Sequence, residues 1–311
     1  MNKPMLRNLL RLTLALVLVC LLPLAASAAE PASGTLSDTI SWSLDESGLL
    51  SITGTGAIPD YDTTTAPWSD MDKIYYATSL SVGEGITAIG DYAFYVPTNI
   101  RSVSLPSTLT SIGSYAFNGC VALKRMNSTT DGVISLPASV TAISSYAFQG
   151  CTSITKMVVG DIASIGAYAL SGCENITQFN SNTNGELIIP SGVKTIGEYA
   201  FQNLASITKV VVPDTVTEIG EGAFKGCNAI EDITLPFIGK TATASGSSDA
   251  LFGYIFGRYA SSASTTPTGT VYQGWGTYSS SYPTSGTSGK NYHQSSYYYF
   301  FFILFLCPLI F

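Results

Sequence analysis

The stretch IGSYAFNGC at residues 112–120 decides the fold, because it is one instance of a recurring unit. IGDYAF precedes it from Ile89, and ISSYAFQGC, IGAYALSGC, IGEYAFQNL and IGEGAFKGC follow from Ile143, Ile165, Ile196 and Ile219. Successive isoleucines are 23, 31, 22, 31 and 23 residues apart. The surplus in the two long steps falls in NSTTDG at 127–132 and NSNTNG at 180–185, polar segments that read as loops inserted at one point of the coil. Fixed periods of this size mark stacked repeats, in which one coil cannot bury its apolar side chains but its neighbours can.

A second pattern lies between the signatures: apolar, two variable residues, apolar, variable, apolar. It appears as Ile100, Val103, Leu105; as Ile154, Met157, Val159; as Ile207, Val210, Val212; and as Ile230, Ile233, Leu235, each run closing on proline or glycine. This is the L-x-x-L-x-L strand of a leucine-rich repeat followed by a turn. With coils stacked ~4.8 Å apart, Ala116, Ala147, Ala169, Ala200 and Ala223 line a tight column and Phe117, Phe148, Phe201 and Phe224, with Leu170 as substitute, a bulky one. The expected fold is a leucine-rich repeat solenoid of about six coils over 77–238, mainly β, with short turns or helical pieces on the convex side.

The signature joined to the strand resembles the BspA-like leucine-rich repeat family of bacterial surface and secreted proteins, over roughly 80–257. The resemblance implies a curved solenoid with roles in adhesion or host-protein binding, and no catalytic residues.

The flanks read differently. Lys3, Arg7 and Arg11, then an apolar run from Leu12 to Leu22, then Ala26-Ser27-Ala28, form a cleavable signal peptide over 1–28. A lipoprotein reading would acylate Cys20, but Val19 stands where a small residue is needed. Residues 29–76 alternate apolar and polar around Asp45 to Gly48, as a β-hairpin cap does, with Trp42, Ile52 and Trp68 placed to cover the first coil. Residues 235–257 resemble an interruption found within ladders of the family. Residues 239–299, rich in Ser, Gly and Tyr, are expected to be irregular, and 300–311 form an apolar tail of twelve residues, ~18 Å as a helix and short of a ~30 Å hydrocarbon core. The abrupt change at Phe300 reads as the product of a frameshift or early stop.

Chemistry is sparse. The formal net charge of −7 disfavours nucleic acid. His293 is the only histidine and falls in the tail segment, where it reads as a solvated loop residue, so a histidine-based triad or metal site lacks material. Glu84, Glu198, Glu218 and Glu221 sit at turns of different coils, as solvated charges do, although paired carboxylates would be needed for a glycan hydrolase. Cys120, Cys151, Cys173 and Cys227 share one slot, with Leu204 filling it in the fifth coil; they read as buried thiols, with disulfides between neighbouring coils the alternative. No CxxC pair points to zinc. Neither a metal, a cofactor nor a catalytic residue is expected.

Binding is the function that remains. Side chains alternate across a strand, so Ser102, Ser104, Lys156, Val158, Lys209, Val211, Asp232 and Thr234 face outward on a concave sheet, the expected partner surface. Tyr92, Tyr115, Tyr146, Tyr168 and Tyr199 form a second candidate, an aromatic column along one side. The expected protein is exported, secreted or held at the cell surface, and binds a protein or glycan. The alternatives are a structural envelope component without a discrete ligand and a carboxylate-based glycan hydrolase.

Overall fold

The computed structural model describes residues 31–68, 76–237, 239–243, 252–257, 268–273, 276–281 and 291–294. The expected signal peptide and apolar tail lie outside these residues.

The chain winds as a solenoid whose repeated residues stack into internal columns. Ile89, Ile112, Ile143, Ile165, Ile196 and Ile219 are all buried, as are the alanines of the signature. The phenylalanine column runs Phe94, Phe117, Phe148, then Leu170, then Phe201 and Phe224, with neighbouring rings parallel at 5.4–5.6 Å where both are present. Coils approach so closely behind the signature isoleucine that a Cβ on Gly197 would lie 2.3 Å from the Ala167 nitrogen, and one on Gly220 2.3 Å from the Glu198 nitrogen. That contact fixes glycine there. In the coil that carries serine instead, Ser144 Oγ donates to the Ile112 carbonyl at 2.5 Å.

Two parallel ladders bracket this core. The long sheet contains thirteen strands, and the opposite face carries short two-residue strands at the signature isoleucines, such as Ser111–Ile112, Ala142–Ile143 and Glu218–Ile219. The coil segments between strands are turns, and the described helix is the 3-10 segment Phe252–Phe256.

The two long repeats depart from the simple reading. Each inserted loop is followed by an additional strand that joins the long sheet. Arg125–Met126 enters the sheet, 127–132 turn back, and Val133–Ser135 pairs beside it in parallel with Ile134 opposite Met126. Gln178–Phe179 and Glu186–Ile188 repeat the arrangement, with Leu187 opposite Phe179. The eight surplus residues are therefore one miniature coil, bracketed by left-handed residues: Asn127 (φ 48°) and Gly132 (82°), Asn180 (51°) and Gly185 (81°). Where the chain leaves the ladder, the Asn127 side chain takes over its hydrogen bonds. Leu105 N–H donates to its Oδ1 at 2.7 Å, and its Nδ2 donates back to the Leu105 carbonyl at 3.2 Å.

The two faces then differ in strand number. From Ser111–Ile112 to Glu218–Ile219 the opposite face takes four steps, while the long sheet takes six over the same coils, from Ser102–Ser104 to Lys209–Val211. At ~4.8 Å per paired strand, two added strands lengthen the long sheet by about 10 Å. Over these coils the long sheet therefore holds two more strand spacings than the opposite face, whose strands form two separate sheets.

Both ends are covered. Ala32–Ser37, Ile40–Leu44 and Leu49–Gly54 form an antiparallel meander, and the last of these pairs in parallel with Ser79–Val82, merging cap and solenoid into one sheet. Asp45 holds the hairpin turn by accepting from the N–H groups of Ser47 and Leu49. Trp68 stacks on Phe94 at 5.3 Å and donates to the Ala93 carbonyl, so it heads the phenylalanine column.

At the other end Gly222 and Phe224 donate to the carbonyls of Tyr254 and Ile255, both of which are buried. Residues 252–257 thus stand where the signature of a further coil would stand. Among the described residues of 239–299, expected to be irregular, three strands occur. Thr268–Gln273 and Gly276–Ser281 form a hairpin, and Asn291–Gln294 pairs with Asp232–Leu235. The backbone of His293 is therefore in a ladder opposite Thr234, because the edge of an open sheet offers unpaired N–H and C=O groups that a further strand satisfies.

Candidate functional site

The miniature coils do more than lengthen the sheet. Their loops rise from the strand face on either side of Val133–Ser135 and Lys156–Val158, and an open groove with a cavity volume of about 680 Å³ lies between them. The floor is a grid set by pairing: Val133 beside Lys156 beside Gln178 in one row, Ser135 beside Val158 in the next. One wall comes from Asn127, Ser128, Thr130 and Asp131, the other from Asn184.

The walls are braced from within. Gln178 Nε2 donates to the Asn182 carbonyl and, at 2.7 Å, to Asn184 Oδ1, which spends both amide protons on the loop and leaves Gln178 Oε1 as an acceptor. Lys156 Nζ donates to Asn182 Oδ1 at 2.7 Å. Arg125 lies 3.5 Å from the Asp131 carboxylate at the rim. Beyond the second loop, Ser181 Oγ donates to Glu186 at 2.5 Å, and Lys209 Nζ lies 3.0 Å from the same carboxylate. These two partners, Ser181 first, hold the Glu186 carboxyl below its ordinary range.

A family profile described as BspA type Leucine rich repeat region matches in six copies over residues 73–186 and 178–245, more than half of the 311 residues. The chain belongs to this BspA-type leucine-rich repeat family. Solved structures similar to it include a leucine-rich repeat protein from Eubacterium ventriosum (23% identity, 67% of this chain, 74% of that chain, TM-score 0.39). Another is the leucine-rich repeat protein of T. pallidum (22%, 67% and 79%, TM-score 0.45). A third is a leucine rich cell surface protein from Faecalibacterium prausnitzii (21%, 66% and 76%, TM-score 0.30). No protein of curated function matches the chain.

In this BspA-type chain, the eight residues read as outward-facing share the long sheet, but the groove gathers only two of them. Lys156 and Val158 line it. Ser102 and Ser104 lie two strands before its floor, and Lys209, Val211, Asp232 and Thr234 lie beyond Glu186–Ile188. Sequence reasoning missed Val133, Ser135 and Gln178. The signal was present, because the strand motif is split: Leu123-x-x-Met126 carries its first half and Ile134-x-Leu136-Pro137 its second, and Ile176-x-x-Phe179 with Leu187-x-Ile189-Pro190 does the same.

The tyrosines form a continuous stack beside the opposite face. Tyr92, Tyr115, Tyr146, Tyr168 and Tyr199 follow one another at 4.3–4.8 Å with interplanar angles of 7–23°. All five have φ between 53° and 60°. Gly222 ends the column, since a Cβ there would meet the Tyr199 ring at 2.5 Å. Lys225 sits over that ring at 5.2 Å, and the Tyr199 hydroxyl donates to Glu221 at 3.1 Å. Burial first, then the Glu221 carboxylate, pushes the Tyr199 phenol up to about 12.

Of the four glutamates weighed for hydrolysis, Glu84 bonds Ser107, Glu218 pairs with Lys240 and Glu221 accepts from Tyr199; none lines the groove. The groove has one carboxylate, Asp131. Among the described residues no His/Cys/Asp/Glu cluster is arranged to hold a metal ion, and no helix is long and apolar enough to cross a membrane. Cys120, Cys151, Cys173 and Cys227 are free and buried. Each donates its S–H to the carbonyl of a phenylalanine in a preceding coil: Phe94, Phe117, Phe148 and Phe201 respectively.

Proposed function

We propose that this chain is an exported binding module, working in secreted form or at the cell surface, whose ligand seats on the strand face between the two inserted loops. The groove carries the reading. Both repeats that deviate in length deviate at the same point of the coil, and the two deviations wall one shallow site over Lys156 and Val158. The signal-peptide pattern at 1–28 and membership of a repeat family found in surface proteins support export and a binding role.

The test is a comparison of two paired replacements in the full chain, captured from the culture fluid of cells that export it and probed with extracts of envelope and extracellular-matrix material. Lys156→Ser with Val158→Ser should weaken binding at least about tenfold, the size of ~1.4 kcal/mol. Lys209→Ser with Val211→Ser should leave it within about twofold, because neither residue lines the groove. Equal loss from both pairs would move the site off the groove and onto the whole face. Retention of the chain inside the cell would remove the exported reading.

A further inference from the structure

Resting on the groove as the binding site, the geometry points to its ligand class: we infer a neutral, hydroxyl-rich chain, that is an uncharged oligosaccharide. Three properties of the lining argue for this. Its polar groups are amides and hydroxyls, with a single lysine and a single aspartate among them. Lys156 gives one of its N–H donors to the Asn182 amide oxygen, and Asp131 is paired with Arg125. A sulfated or sialylated ligand thus meets one lysine and no cluster of cations, on a chain whose formal net charge is −7.

A peptide fits less well. Extended peptides gain affinity by pairing with an open strand edge. Here Val133–Ser135 and Lys156–Val158 each have a strand on both sides, so the floor presents side chains and no free backbone. The tyrosine, tryptophan and arginine anchors that dominate protein interfaces are absent from the lining. What remains is an acceptor at Gln178 Oε1, donors at Asn184 Nδ2, the Ser135 hydroxyl, and a strip of Val133 and Val158 that a sugar's C–H face can cover. The volume of about 680 Å³ falls in the ~300–1,000 Å³ range of small-ligand sites. An oligosaccharide segment fits.

The experiment presents the full exported chain to an array of neutral hexose and N-acetylhexosamine oligosaccharides, sialylated and sulfated ones, and to a matrix glycoprotein before and after enzymatic deglycosylation. The expected result is binding to neutral oligosaccharides and to the intact glycoprotein only. Asn184→Asp, which keeps the acceptor and removes the donors, and Ser135→Trp, which fills the groove, should each weaken the best neutral ligand about tenfold or more with unchanged circular dichroism. Binding confined to sialylated or sulfated ligands overturns the neutral class. Capture of the deglycosylated protein, lost in Ser135→Trp, overturns the glycan inference and leaves the groove as a binding site. Binding of any ligand that survives Ser135→Trp overturns the inference and the groove reading together, whereas failure to bind every probe overturns the oligosaccharide class and leaves the groove to the paired replacements above.

Discussion

At the scale of single residues, the repeat shows its requirements where one copy breaks them. The turn after the phenylalanine is left-handed in every coil and is filled by Gly119, Gly150, Gly172, Asn203 and Gly226, but by Val96 in the first. A β-branched residue at φ 55° is strained, and Val96 is 41% exposed, so little packing offsets the cost. Val96→Asn should therefore stabilise the protein by about 1 kcal/mol, read as a higher urea midpoint; a lower midpoint would show that Val96 packs usefully. Glu186 gives a second case. Its folded carboxyl titrates below the usual 4.5, so its stabilisation is present above that value and is lost as pH falls through the lowered one. Glu186→Gln should then lower the urea midpoint at neutral pH and match the parent in strong acid. A deficit independent of pH would assign Glu186 a packing role instead.

At the scale of the element, the tyrosine column couples five residues that each sit in an unfavourable backbone region. Left-handed φ costs ~1–2 kcal/mol for an L-residue, while a stacked aromatic pair returns about 0.5–1.5 kcal/mol beyond burial, so the column persists because its rings stack. Burial raises the phenols of Tyr92, Tyr115, Tyr168 and Tyr199, the last to about 12 from 10.0. A raised folded pKa stabilises fully below the unfolded value and is lost as pH rises through the folded one. Stability should accordingly fall between pH 10.0 and about 12, with a shallower fall in Tyr199→Phe, measured by urea unfolding against pH. An identical slope in that variant would detach the effect from Tyr199. The column was legible in the sequence because equal register fixes which rings meet. The positive φ was not, since the signature names a tyrosine without its backbone. The added strands were hidden for a related reason: the apolar motif was read as contiguous, while Met126 and Ile134 duplicate one ladder position across eight residues. Loop chemistry at 127–132 and 180–185 was readable from Asn and Gly, but that the loops face each other across Lys156 depends on coil stacking, which no local pattern encodes.

At the scale of the whole molecule, length and curvature are separable quantities. Coil number sets the length, and the miniature coils are expected to set the bend, because they add strands to one face while the tyrosine side keeps its 4.3–4.8 Å spacing. Excising 127–134 joins Met126 to Ser135 and restores Leu123-x-x-Met126-x-Leu136-Pro137, an ordinary strand motif; excising 180–187 restores Ile176-x-x-Phe179-x-Ile189-Pro190 in the same way. Neither cut removes a signature residue, and each closes the register that the opposite face already holds, where Ser145 and Glu198 accept backbone hydrogen bonds from Tyr115 and Tyr168 across the long steps. The double deletion should consequently fold, unfold in one cooperative transition, and lose about 10 Å from its long sheet through two missing strand spacings. Small-angle scattering would register this as a straighter particle of unchanged coil number. The groove disappears with the loops, so ligand binding should vanish from a protein that is otherwise intact. A scattering profile that keeps its bend would place the curvature in the turns between strands, and binding that survives the cuts would take the site away from the strand face altogether.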